Sequence, residues 1–314
     1  MRLEGKPVAD KIIKEVKASI SLLIEHNIKS PCLAVIQVGN DPRSSVYVKN
    51  KEKEAKKAGI ISETIKIDEK ISKEDLIKQI QSLNESDKYA GILIQLPLPQ
   101  HLKESEIIEH LSPIKDVDGI HPDNLGKLMR GTPYLTPCTP TGVIEILKYY
   151  KIEISGKKCL IIGRSNIVGK PLVFQLLQEN ATVTIAHSKT QSIEDEVKKA
   201  DILFVAIGQA RFIRGSWVKD GSTVIDVGIN SLTREDWEKK GFPITDSIEA
   251  DFKKKGYAIV GDTYFEELED KVSAITPVPG GVGLLTVAVL MNNTLKAYIR
   301  QKNLENHLSE WKNL

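Results

Sequence analysis

The chain has 314 residues, 41% of them hydrophobic, enough to furnish buried cores for two domains of ordinary size. A formal net charge of +2, with no stretch that interleaves basic and aromatic side chains, argues against a nucleic-acid partner. Cys32, Cys138 and Cys159 are too few and scattered for a disulfide framework or metal site, the start Met1-Arg2-Leu3-Glu4-Gly5 lacks an apolar signal core, and no apolar run reads as membrane-spanning, so a soluble cytoplasmic protein with no membrane partner is expected.

Val8, Ile12, Val16, Ile20 and Leu23 recur at helical spacing and predict an amphipathic helix over 6–29. Cys32 to Val38 reads as a buried strand closed by Gly39-Asn40-Asp41-Pro42, Ser44 to Ala58 as a helix, and Ile61 to Ile67 as a second strand. Ser72-Lys73-Glu74-Asp75 resembles a capping box opening the next helix. A third strand, Gly91 to Leu96, runs into Pro97-Leu98-Pro99. After a helix around Ser105 to Leu111, the stretch Ser112 to Thr139 has little periodicity, and so long an irregular segment is usually functional. Thr139 is placed to cap, and Pro140 to start, a helix running to about Tyr150, the candidate linker to a second domain.

Strands near 159, 182, 202, 223 and 258 then alternate with helices, which implies a parallel sheet. The unusual run Pro277-Val278-Pro279-Gly280-Gly281-Val282-Gly283 precedes an apolar helix from Leu284 to Ile299. Two prolines stiffen that run and three glycines let a flat ligand approach backbone; a plain domain hinge is the alternative. The expected fold class is α/β, with two α/β domains. Residues 1–148 form the first, joined by a returning C-terminal helix in 284–314, and 149–283 form a Rossmann-like doubly wound parallel sheet.

In the second domain Cys159 to Ile162 is a buried strand, Gly163-Arg164-Ser165-Asn166-Ile167-Val168-Gly169 breaks it, and Pro171 to Leu177 resumes at helical spacing. Strand, glycine-bounded loop and helix make a phosphate-binding turn, the first helical N–H groups facing an anion. The spacing is not G-x-G-x-x-G, so an ordinary strand–helix turn stays open. Where an NAD site would carry an acidic ribose partner, this chain has His187-Ser188-Lys189-Thr190. Arg164 and Ser188 suit a 2′-phosphate instead, and the loop reads as NADP-binding, with NAD the lesser option.

Five lysines crowd the 44–58 helix, and helical phase separates them. Tyr47, Lys51, Ala55 and Ala58 share one face, while Lys49, Lys53 and Lys56 point away. A lysine directed into a desolvated cleft has a lowered pKa and exchanges protons near neutrality; the alternative is a packed stem with its head in water. Gln95 ends the strand Ile92-Leu93-Ile94 at the carboxyl edge, where open α/β sheets bind ligands, or it merely caps that strand. Asp116 and Asp118 stand two apart, and at least one is expected to make an Asx-type turn. No metal is expected there, and His121 reads as structural.

Together these segments resemble the bifunctional methylenetetrahydrofolate dehydrogenase/cyclohydrolase family over nearly the whole chain. The carriers are Tyr47-Val48-Lys49-Asn50-Lys51, the run Gly91 to Pro99, Lys115 to Gly119, Pro137 to Pro140, Gly163 to Gly169, His187 to Thr190 and Thr276 to Gly283. The resemblance implies a cytoplasmic homodimer in one-carbon metabolism and purine biosynthesis. It would oxidise 5,10-methylenetetrahydrofolate with NADP⁺ and then hydrolyse the methenyl product to 10-formyltetrahydrofolate in the same interdomain cleft. Carried over, Lys51 is the acid/base group, Tyr47 stacks on the folate, Gln95 orients Lys51 and Asp118 holds the pterin. Leu96, Pro97, Pro277, Gly280 and Gly281 complete the substrate set. Gly163, Arg164, Ser165, Ile167, Val168, Gly169, His187, Ser188 and Ile229 form the coenzyme set. Two departures stand out: Leu284 replaces the family's usual Pro, and Leu232 to Gly256 is longer than the usual link. A shikimate-type NADP reductase or a non-catalytic nucleotide-binding protein are the competing readings, and neither gives Tyr47, Lys51 and Gln95 a joint role.

Overall fold

The computed structural model describes residues 1–40 and 42–307, with only the backbone described over 42–47. The chain divides into two compact units, one of residues 7–142 and 286–314, the other of 1–6 and 143–285.

In the first unit α1 (Gly5–Glu25) leads into β1 (Cys32–Val38), α2 (Pro42–Ala58), β2 (Ile61–Ile67), α3 (Lys73–Glu85) and β3 (Gly91–Ile94). The strands form a parallel sheet in the order β2-β1-β3, with Ile36 level with Ile65 and Ile94. Every residue of β1 is buried, Gln37 included, as expected of a mainly apolar central strand covered on both faces. Ala34, Ile36, Ile92 and Ile94 pack with Leu76 and Ile80 of α3 into one core. Ser72 caps α3, accepting from the Asp75 N–H at 3.1 Å, while its hydroxyl donates to the Asp75 carboxylate at 2.8 Å.

Beyond α4 (Glu104–Ile108), the stretch read as irregular contains a helix, α5 (Pro122–Met129). Its eight residues are too few to show a helical period; its start is set by His121, whose Nδ1 accepts the Asp123 N–H at 3.1 Å, and by Pro122 in the first position. The next helix, α6 (Cys138–Tyr149), begins before Thr139, so Thr139 does not cap it. The Thr139 hydroxyl instead pairs with that of Thr286 at 2.9 Å.

The second unit is built on β4 (Lys158–Ile162), α7 (Gly169–Gln178), β5 (Thr182–Ala186), α8 (Ile193–Lys199), β6 (Ile202–Val205) and β7 (Thr223–Asp226). Then come β8 (Asn230–Thr233), α9 (Arg234–Lys239), α10 (Asp246–Lys255), β9 (Tyr257–Val260), α11 (Phe265–Leu268) and β10 (Ala274–Ile275). Five parallel strands run in the order β10-β7-β6-β4-β5, so the winding direction reverses between β4 and β6. The strand near 258 is not in this sheet. It is β9, antiparallel to β8 in a two-stranded sheet, and the fifth parallel strand is the two-residue β10, too short for any pattern to announce.

Residues 1–6, read as part of the first domain, belong to this second unit. Leu3 N–H donates to Ile275 O at 2.8 Å, Ile275 N–H to Met1 O at 3.0 Å and Gly5 N–H to Gly280 O at 2.7 Å. The last helix, α12 (Val282–Gln301), is by length and composition apolar enough to cross a bilayer, against the expectation that no such run exists; 56% of its apolar window is buried within the fold, where Leu285, Ala288, Val289 and Met291 are core residues.

Candidate functional site

The first group of functional side chains lies at the carboxyl edge of the β2-β1-β3 sheet. α2 follows β1 and presents Lys51 half-buried between turns anchored by the fully buried Ala55 and Ala58; Lys49, Lys53 and Lys56 are exposed, as their phase requires. Gln95 comes directly after β3, its N–H held by Ile36 O at 2.9 Å and its side chain 9% exposed. The Lys51 ammonium donates to Gln95 Oε1 at 2.7 Å, and Gln95 Nε2 donates to Leu96 O at 2.6 Å, which fixes the amide orientation. Burial pushes the Lys51 pKa below the ordinary lysine value, opposed by the Asp118 carboxylate. Asp118 is pushed up by burial in turn, opposed by Lys51 and by the neighbouring Cys138 thiol, which itself donates to Val117 O at 3.3 Å. Lys51, Gln95 and Asp118 are therefore one electrostatic group.

The other members of the Lys115–Gly119 segment hold it in place. Lys115 Nζ donates to the carbonyls of Leu83, Asn84 and Ser86 at the end of α3, at 2.7–3.2 Å. Asp116, fully buried, accepts from Gly119 N, His121 N and Asn124 Nδ2 at 2.8–3.1 Å, so it is the turn-making carboxylate of the pair. Gly119 has φ +73°, and a Cβ there would stand 2.3 Å from the Thr136 carbonyl carbon. Two residues that the motif reading did not place in the site support Asp118. Cys138 is one; the other is Asn293 of α12, whose amide donates to Val117 O and Thr136 O, both at 2.9 Å. The available signal was Asn293 set within the apolar face of the last helix. Leu96 is half-buried and Pro97 exposed, while Tyr47 lies among 41–47, outside the described side chains.

The second group lies at the carboxyl edge of the larger sheet, where its winding reverses. Gly163 follows β4 with φ +127°, and a Cβ there would meet Ala206 O at 2.3 Å; one on Gly169 would meet Gly163 O at 2.2 Å. Glycine is thus required at both ends of the turn. Between them Ser165 Oγ accepts the N–H groups of Val168 at 3.1 Å and Gly169 at 3.4 Å, while Arg164 and Ile167 are exposed. Ile162 and Ala186 are register partners on β4 and β5, and Arg164 and Ser188 each stand two residues past that pair, both exposed. His187, half-buried, accepts the Lys189 N–H on Nδ1 at 3.1 Å and gives its own N–H to Thr190 Oγ1 at 2.9 Å. A tight turn at a helix start, with an exposed guanidinium and hydroxyl on the adjacent strand ends, fits a phosphorylated dinucleotide. Ile229, 44% exposed, follows β7 on the same edge. Pro277 and Gly280 are half-buried and Gly281 buried, Gly280 at φ +111°.

Comparison with known proteins identifies the family. Residues 3–118 match the catalytic domain of the tetrahydrofolate dehydrogenase/cyclohydrolase family, and residues 137–302 match its NAD(P)-binding domain. The bifunctional protein FolD of Acetivibrio thermocellus is 48% identical over 295 residues, 94% of this chain and 95% of that protein. FolD of Streptococcus thermophilus is 45% identical over 298 residues, 95% and 97% of the two chains. Among solved structures, the bifunctional FolD methylenetetrahydrofolate dehydrogenase/cyclohydrolase of Campylobacter jejuni superposes with a TM-score of 0.86 at 42% identity, covering 96% and 99%. The Trypanosoma brucei enzyme complexed with NADP and an inhibitor gives 0.87 at 34%, covering 96% and 98%. With both halves matched and relatives this similar end to end, the chain belongs to the tetrahydrofolate dehydrogenase/cyclohydrolase family.

Proposed function

We propose that Lys51 is the proton-transferring group of this methylenetetrahydrofolate dehydrogenase and methenyltetrahydrofolate cyclohydrolase, with Gln95 and Asp118 setting its position and charge. The observation that carries the reading is the half-buried Lys51 ammonium 2.7 Å from Gln95 Oε1, its pKa lowered by burial and held against that by Asp118. NADP⁺ held at the Gly163–Gly169 turn would supply the oxidation, as acceptor of a hydride from the methylene carbon. That step leaves a methenyl cation and moves no proton.

Hydrolysis makes the demand on the side chains. Water adds to the methenyl carbon and loses a proton; the bond from that carbon to the ring nitrogen then breaks, the nitrogen departing with a proton while the remaining hydroxyl releases its own to solvent to leave the formyl group. Burial lowers the Lys51 pKa, which favours the neutral amine as acceptor of the first proton and makes the ammonium a better donor for its return. Gln95 keeps Nζ directed through its Oε1, and Asp118 serves as acceptor for the pterin as well as counter-charge. Tyr47 supplies the stacking platform in the same reading, and Leu96, Pro97, Pro277, Gly280 and Gly281 border the folate. Arg164 and Ser188 read the 2′-phosphate, and Gly163, Ser165, Ile167, Val168, Gly169, His187 and Ile229 complete the coenzyme contacts, which favours NADP⁺ over NAD⁺. The family resemblance further supports a cytoplasmic homodimer that feeds one-carbon units to purine biosynthesis, without nucleic-acid or membrane partners.

Supplying methylenetetrahydrofolate and NADP⁺ and recording NADPH and methenyl absorbance tests the pair of activities. NADPH should form and the methenyl signal should pass through a maximum and decay. A shikimate-type acid oxidised in its place, or no turnover at all, would defeat the proposal.

A further inference from the structure

The long segment after β7 is not needed to join β7 to β10. Its elements β8, α9, α10 and β9 build a small core of their own around Trp237, Phe252, Ala258 and Val260, with Leu232, Phe242, Ile248 and also Ala210 packed against it. Ala210 comes from elsewhere: it lies in the loop that leaves β6, next to the winding reversal. That loop touches the nucleotide turn directly, since Ala206 N–H donates to Ile162 O at 2.9 Å and Ala206 O closes over Gly163.

We propose that the 230–260 module braces the loop Ala206–Arg211, with Arg211 and Asp262 as its two pins, and thereby sets the affinity for the coenzyme. Asp262, fully buried just past β9, accepts the N–H groups of Ile207 at 2.7 Å and Gly208 at 3.0 Å on Oδ2. Its Oδ1 accepts from Asn230 Nδ2 at 2.9 Å, so one carboxylate joins the start of the module, its end and the loop. At the loop's far end Arg211 adopts φ +54°, donates its N–H to Gly261 O at 3.0 Å, and is followed by Ile213 N–H on Asp262 O at 3.0 Å. The Arg211 side chain, 3% exposed, enters the module. Its guanidinium lies 4.7 Å from the Trp237 ring centre, 5.3 Å from Phe242 and 4.5 Å from Tyr264, and pairs with Glu266 at 2.6 Å. Its Nη1 has no hydrogen-bond acceptor, and the ring faces take that place.

Both ends of the loop are thus tied to one module. A loop already ordered before the ligand arrives does not lose that freedom on binding. Loosening either pin transfers the ordering cost to the binding step.

The inference rests on the coenzyme reading of the Gly163–Gly169 turn, and the test separates the two. Arg211→Gly removes the guanidinium while tolerating the left-handed backbone, and Asp262→Asn removes the carboxylate charge at nearly constant shape. In each, KM for NADP⁺ in the dehydrogenase assay should rise at least about tenfold, the scale of one lost charged hydrogen bond. Hydrolysis of supplied methenyltetrahydrofolate, which consumes no coenzyme, should stay within about twofold of the parent by the same standard. An unchanged KM for NADP⁺, or equal loss of both activities, overturns the proposal. If Arg211→Gly does not fold, Asp262→Asn decides by the same criteria. Failure of the parent chain to reduce NADP⁺ would instead remove the coenzyme reading beneath it.

Discussion

The two groups of proposed site residues occupy the same place on two parallel sheets and are built from opposite materials. Around Lys51 the working parts are side chains, half-buried and coupled, each shifting the other's proton affinity. Around Gly163 the working parts are backbone and exposed heads: two glycines that admit no Cβ, a helix start, and Arg164 and Ser188 open to solvent. The difference follows from the chemistry. Moving a proton requires a pKa displaced from its solution value, and burial is the strongest means of displacing it. Holding a phosphate requires donors already aimed and a charge that need not titrate.

If that contrast is right, the largest single effect should come from removing the titrating group. Lys51→Met keeps most of the side-chain length and loses the amine. Cyclohydrolase turnover should fall at least about a hundredfold, within the usual contribution of a positioned acid/base. Dehydrogenase turnover should fall less, because the hydride step moves no proton. Separate recording of methenyl accumulation and decay checks this; parallel loss of both would make Lys51 a positioning group.

On the second edge the matching experiment is Arg164→Ala. A charge-assisted hydrogen bond contributes roughly 1.5–3 kcal/mol, so NADP⁺ affinity should drop about tenfold to a hundredfold. NAD⁺ affinity should barely change. Equal losses for the two coenzymes would show that Arg164 does not read the 2′-phosphate.

The contrast also explains what could be read from sequence. Strand–loop–helix turns announce themselves through apolar runs and glycines, so β1, β2 and the Gly163–Gly169 turn sit where the pattern puts them. Helical phase singled out Lys51 as the inward lysine among five, because burial is a question of angle, but its role came from the family resemblance and not from phase. Long-range support was not legible. Asn293 reaches Val117 across 176 residues, and Arg211 meets Trp237 only because a module folds between them. Short elements escaped as well: α5 has eight residues and β10 two, fewer than a period needs to be recognised.

A subtler effect is expected at Asp118, and its sign can be worked out. Burial lowers the Lys51 pKa, and the Asp118 carboxylate raises it by stabilising the ammonium. Asp118→Asn removes that opposition, so Lys51 should lose its proton at lower pH. Hydrolysis needs the neutral amine, and the rising limb of its kcat–pH profile should therefore move to lower pH, whatever happens to folate KM. A limb that stays put would mean Asp118 binds the pterin without tuning Lys51.

The smallest effect should come from Leu284, the position at which the family resemblance leads one to expect proline. It is the third residue of α12 and 44% exposed. Its N–H makes only a long 3.4 Å bond to Gly281 O, and first-turn N–H groups have no intrahelical partner in any case. Proline there gives up little. The preceding residue, Gly283, has no Cβ to collide with the proline ring, which removes part of the usual objection to proline within a helix. What remains is the restriction of the unfolded chain, worth about 0.4–1 kcal/mol in favour of the folded state. Leu284→Pro should accordingly raise the melting temperature slightly and leave both turnover numbers within about twofold, as expected for a change confined to the unfolded ensemble. Thermal unfolding and the two assays decide it. A marked gain in folate affinity would instead mean that leucine distorts the Pro277–Gly283 loop.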